Sequence, residues 1–139
     1  MRALKFLCIG LLAWSAAVQA EELIIIANTN APVASLSQDE LASIYLLKTT
    51  VWRGGGNIVP VNREAASSAR TLFSDTVLRQ PSNALAAYWN QMHFKGKAPP
   101  LVQESDQAVL AFVQNVPGAI GYINAAAPHQ NVKVLTRVP

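Results

Sequence analysis

Five consecutive apolar residues, Leu23-Ile24-Ile25-Ile26-Ala27, constrain the fold of this chain more than any other segment. Three of them are β-branched isoleucines, and no polar residue alternates with them. A strand with one wet face reads apolar-polar-apolar, whereas an unbroken β-branched run matches a strand covered on both sides. Helices packed on both faces of a sheet give that cover, so the run predicts a layered α/β domain. The polar, turn-forming stretch from Asn28 to Pro32 then predicts a loop.

The rest of the chain fits such layers. Ser37-Gln38-Asp39-Glu40 has capping-box spacing, and Leu41, Ile44, Tyr45 and Lys48 continue it at helical intervals. Gly54-Gly55-Gly56 ends regular structure, and Ile58-Val59-Pro60-Val61 reads as a short strand with Pro60 at an end or edge. Ser67 and Ser68 open a helix that places Ala69, Leu72, Phe73, Thr76 and Val77 on one face. Pro81-Ser82 opens another, whose stripe of Leu85, Tyr88, Trp89 and Met92 reads as core. Leu101-Val102-Gln103 reads as a short strand. Ser105 or Asp106 caps a helix bearing Val109, Phe112, Val113 and Val116, which Pro117-Gly118 stops. Residues 119–123 and 132–138 are the last strands. The pattern predicts a mostly parallel sheet, with one antiparallel pair near the end of the chain.

Residues 1–20 stand apart. Arg2 and Lys5 precede a nearly unbroken apolar run from Phe6 to Val18, and Val18-Gln19-Ala20 closes it with modest side chains. That order predicts a secretory signal peptide cut after Ala20, its apolar part being short for a bilayer span. Residues 21–139 are then expected to form one domain, exported to the periplasm without a stable membrane anchor. The single cysteine, Cys8, lies inside the leader, so no disulfide, thiolate metal site or thiol nucleophile is expected afterwards. Of the 11 Lys and Arg set against 8 Asp and Glu, Arg2 and Lys5 leave with the leader. The near-neutral remainder gives no bulk-charge case for nucleic acid or an anionic membrane.

One segment, from Ile58 to Leu78, could carry chemistry. Its strand delivers Asn62 and Arg63 to a carboxyl end, and its helix begins at Ser67. Ligands of open α/β sheets gather at strand carboxyl ends, and a helix N-terminus suits an anion. Arg63 offers a bidentate clamp, Ser67 a hydroxyl, and Arg70 further charge. The same residues also serve ordinary structure, with Ser67 as an N-cap and Arg63 paired to Glu64. Both readings stay open on residue types alone. His93 and His129 sit in separate loops without ligand spacing, no Gly-x-Ser-x-Gly elbow occurs, and the carboxylates show no acid–base pairing. Neither catalysis, a cofactor nor a metal site is therefore expected.

The segment from Ser37 to Lys48, followed by Trp52, resembles the L-S-x-x-x-L-x-x-I-F-x-G-K…W segment of the substrate-binding proteins of phosphate ABC importers. Ile58-Val59-Pro60-Val61-Asn62-Arg63 is similar to the strand that follows in that family. Pro117-Gly118-Ala119-Ile120-Gly121-Tyr122 is similar to its closing P-G-A-I-G-Y strand. The resemblance implies a single periplasmic-binding-protein type II-like lobe that takes phosphate or a similar small oxyanion and serves an ABC permease. It implies Arg63, Ser67 and Ser68 as contacts, with Asn28 and Thr29 contributing after the first strand. Glu64-Ala65-Ala66 stands where the family carries Ser-Asp-Gly, and full members close two lobes on their ligand. A lone lobe also admits another use, as a module that docks onto a different envelope protein.

Overall fold

The computed structural model describes residues 21–139, and the expected leader lies outside the described residues. The first strand, β1 (Leu23–Ala27), has no exposed surface at any position. Leu23, Ile25 and Ala27 pack on one side of the sheet and Ile24 and Ile26 on the other. The double-sided cover expected of an unbroken apolar run is therefore present.

Four further strands complete the sheet: β2 (Val59–Arg63), β3 (Leu101–Gln103), β4 (Ala119–Asn124) and β5 (Lys133–Val138). Their order is β3-β2-β4-β1-β5. β2 runs parallel to β3 and to β4, whereas β1 is antiparallel to both β4 and β5. Four strands thus point one way and β1 the other. The reversed strand is the first, so the expected single antiparallel pair near the chain's end becomes two antiparallel ladders flanking β1. Inserting β1 between β4 and β5 gives each of those last strands an antiparallel neighbour (Leu23 opposite Asn124 on one side and Val138 on the other).

Helix α1 (Gln38–Tyr45) starts with the expected capping box: Ser37 Oγ accepts the Glu40 N–H at 3.1 Å, and Glu40 Oε2 accepts the Ser37 N–H at 3.1 Å. It stops short of Lys48 because Leu47 takes a left-handed φ of 59°. Helix α2 (Ser68–Phe73) runs into a π turn, Ser74–Leu78. Helices α3 (Ser82–Phe94) and α4 (Asp106–Asn115) follow, the latter capped by Ser105. None of these helices is long and apolar enough to cross a membrane.

Leu41, Ile44, Tyr45, Ala69, Phe73 and Val77 from α1, α2 and the π turn cover one face of the sheet. Val109 and Val113 of α4 cover the other, against Ile24, Ile26, Val61 and Ile123. Close approach of α4 depends on Gly121, where an added Cβ would lie 2.7 Å from Val109 Cγ1 and 2.8 Å from Val61 Cγ1. The stripe read as core on α3 behaves differently. Met92 is buried, but Leu85, Tyr88 and Trp89 are half-buried and Phe94 is 89% exposed. α1 and α2 already cover that face of the sheet, so α3 lies outside them, held in part by a hydrogen bond from the Tyr88 hydroxyl to the Leu46 carbonyl.

Candidate functional site

The carboxyl end of β2 rests on an aromatic stack. Phe73 lies parallel to Tyr122 at 4.2 Å between ring centroids and meets Tyr45 edge-on at 4.6 Å. The Tyr122 hydroxyl donates to Asn62 Oδ1, and its oxygen accepts the Arg63 N–H at 3.2 Å. Burial pushes the Tyr122 phenol up to about 12 and that of Tyr45 well above its ordinary value. Both phenols are neutral at physiological pH, so Tyr122 holds the Arg63 N–H, and Tyr45 the Val61 carbonyl at 2.8 Å, without adding charge.

Above this support the Arg63 side chain, 13% exposed, is gripped from two directions. Its Nε and Nη2 donate to Glu64 Oε2 and Oε1 at 3.0 and 3.2 Å, a bidentate pair. Its Nη1 donates to Asp106 Oδ1 at 2.5 Å. The hydrogen bond to Glu64 foremost, with the Asp106 charge behind it, raises the guanidinium pKa, and the same bond holds the Glu64 carboxyl below its ordinary range. Asp106 stands in the first turn of α4, where its second oxygen accepts the Asn124 N–H at 3.4 Å.

The turn into α2 is just as ordered. Ser67 Oγ accepts the Arg70 N–H at 3.2 Å as an N-cap. Arg70 Nη1 reaches back to the Arg63 carbonyl at 2.8 Å. The exposed Ser68 hydroxyl donates to Glu21 Oε1 at 3.0 Å. Arg63, Ser67, Ser68 and Arg70 thus share one strand-to-helix turn. Among the described residues every buried side-chain polar atom already has a partner. An anion entering here exchanges one set of hydrogen bonds for another.

Asn28 and Thr29 lie elsewhere. Because β1 runs against β2 and β4, its carboxyl end falls level with Ala119 and Val59, at the amino ends of those strands. That is four residues, or about 13 Å, from the level of Arg63. Asn28 is 7% exposed and its groups are spent: the amide donates to the Val113 and Gln114 carbonyls at 2.9 and 3.2 Å, and Oδ1 accepts the Asn30 N–H at 3.0 Å. It fastens β1 to the end of α4. Thr29 is exposed beside it. Sequence reasoning missed Asp106 as a partner of Arg63, reading it only as a helix-capping residue. The two are 43 positions apart, and only the parallel pairing of β2 with β3 and β4 brings α4 beside β2.

A sequence profile of the PBP superfamily domain matches residues 9–138. The chain belongs to the PBP superfamily. Among solved structures, this PBP domain is similar to a Clostridium perfringens protein assigned as a phosphate ABC transporter substrate-binding protein and determined with bound phosphate. The identity is 25% and the TM-score 0.68, over 83% of this chain and 44% of that one. It shares its fold with an ABC-type phosphate transport receptor from Vibrio cholerae at 22% identity and a TM-score of 0.66, over 83% and 45% of the two chains. PstS from Borrelia burgdorferi has the fold too, at 20% identity and 0.59, over 76% and 41%. The PBP domain described here therefore spans less than half the length of each of these proteins. It is a single α/β lobe with a mixed five-stranded sheet.

Proposed function

We propose that this PBP superfamily domain binds phosphate, or a closely similar small oxyanion, at the turn between β2 and α2. Arg63, Ser67 and Ser68 make the contacts and Arg70 supports them. The observation that carries the reading is the meeting of two guanidinium groups and two serines at one strand carboxyl end, in a lobe similar to a protein determined with bound phosphate. Arg63 already holds a carboxylate with the paired N–H geometry that a phosphate oxygen pair needs. In the proposed binding step the anion takes the place of the Glu64 carboxylate. Asp106 keeps Nη1 in position, and the Ser68 hydroxyl turns from Glu21 to the anion. Asn28 and Thr29 are left out of the proposed site.

The role is one of binding rather than catalysis. The leader directs the chain to the periplasm and is removed after Ala20, and an ABC permease is the partner that takes the anion onward. Isothermal titration of the folded protein with phosphate tests the site, with sulfate as the control. Saturable phosphate binding that disappears in Arg63→Ala is the expected result. Absence of any saturable heat from folded protein overturns the reading.

A further inference from the structure

A recess of about 260 Å³ lies beside this turn, between α2 with its π turn and α3. Arg70, Thr71, Ser74 and Asp75 line one wall, and Leu85 and Trp89 of α3 line the other. Arg70 and Asp75 carry opposite charges into one small space, yet they do not pair. Among the described residues the ion pairs are Arg53–Glu40, Arg63–Glu64, Arg63–Asp106 and Arg137–Glu22. The Arg70 guanidinium donates one N–H to the Arg63 carbonyl and keeps its other donors.

Helix spacing sets where these two charges stand. Arg70 and Ser74, and Thr71 and Asp75, are four residues apart and so neighbours on one helix face. That face carries on from α2 into the π turn at Ser74, so both charges border the recess. π turns of this kind recur at functional sites. Opposite them, the half-buried Trp89 indole meets Tyr88 edge-on at 5.1 Å, which holds it at the rim of the recess.

From this juxtaposition we infer that the recess binds a small zwitterion: an α-amino acid with an apolar side chain. Its carboxylate pairs with Arg70, its ammonium with Asp75, and its side chain lies on Leu85 and Trp89. The Thr71 and Ser74 hydroxyls supply further hydrogen bonds. Free phosphate would meet the Asp75 charge, a simple amine would meet Arg70, and a neutral guest would leave both without a partner. Only a ligand of both signs answers both charges. The volume lies just under the range of pockets that take drug-sized ligands, which suits a guest of amino-acid size. This inference shares Arg70 with the oxyanion reading but uses a different recess and a different carboxylate, so Trp89 and Asp75 report on it alone.

The test is a nuclear magnetic resonance titration of the full chain expressed with its own leader, following the Trp89 indole N–H, which Trp89→Phe identifies. The probes are L-phenylalanine, hydrocinnamate (no ammonium) and phenethylamine (no carboxylate). Phenylalanine is expected to shift the indole resonance saturably, and each single-charge probe to bind about tenfold more weakly, as loss of one charge-assisted contact implies. Asp75→Asn, a surface change, should weaken phenylalanine by a similar factor while leaving hydrocinnamate no weaker. No saturable shift with phenylalanine overturns the proposal. So does hydrocinnamate binding as tightly as phenylalanine, or an Asp75→Asn protein that binds phenylalanine unchanged.

Discussion

Glu64 decides how the proposed oxyanion site behaves. Its carboxylate occupies the Nε–Nη2 edge of the Arg63 guanidinium and so competes with any incoming anion. Glu64→Gln keeps the size of the side chain but removes the charge, and phosphate affinity measured by calorimetry is expected to rise several-fold. Unchanged affinity would mean that the anion does not displace Glu64. The pH dependence has a definite sign. The Glu64 pKa is lowered by its hydrogen bond to Arg63, so the pair is intact at neutral pH and is lost as pH falls through that depressed value. Arg63 is then released on that side while Asp106 still faces Nη1, with Arg70 and the neutral Tyr122 hydroxyl beside the backbone. Sulfate, which takes up no proton in this range, is expected to bind more tightly as pH drops through the Glu64 transition. In Glu64→Gln most of that rise should vanish.

At the scale of elements, the proposed site gives Ser67 two jobs and leaves Ser37 with one. Each caps a helix through its Oγ, and removing such a cap costs about 1 kcal/mol. Ser37→Ala and Ser67→Ala should therefore lower stability to denaturant similarly, whereas only Ser67→Ala should weaken phosphate binding. Equal affinities in the two variants would reduce Ser67 to a cap. Both caps are readable from sequence because their signal spans four residues. The β1 run and the Pro117-Gly118 stop are local in the same way, and the structure has each where the sequence puts it; of the two caps the sequence allows for α4, Ser105 and Asp106, it has Ser105. What the sequence does not disclose is set by distant partners. The direction of β1 follows from its pairing with β4 and β5, strands at the far end of the sequence. That direction alone separates Asn28 and Thr29 from Arg63. The grip of Asp106 on Arg63 and the displacement of α3 from the core are long-range in the same sense: an apolar helical stripe shows that a helix can be buried, and not whether the sheet has room left for it.

At the scale of the whole molecule, the chain matches 44% and 45% of the Clostridium and Vibrio proteins, and its proposed site lies on an open edge of the lobe. A small ligand on such an edge keeps part of its surface in water, which favours modest affinity and rapid release. A second copy could in principle cover the edge, but its charges oppose that. Glu21, Glu22, Glu64, Glu104 and Asp106 gather at the carboxyl ends of β2, β3, β4 and β5, with Arg63, Arg70 and Arg137 among them. Five carboxylates against three guanidinium groups make the edge acidic, and joining two such edges brings like charges together. Phosphate carried between them would add to the repulsion. Sedimentation equilibrium is therefore expected to give the mass of one chain, with and without phosphate, at low ionic strength, where screening is weakest. A doubling of mass that requires phosphate would mean that the anion is clamped between two lobes, and the Arg63 turn would then be half of a shared site. A doubling seen only at high salt would leave the one-lobe site in place, because screening alone would have removed the barrier.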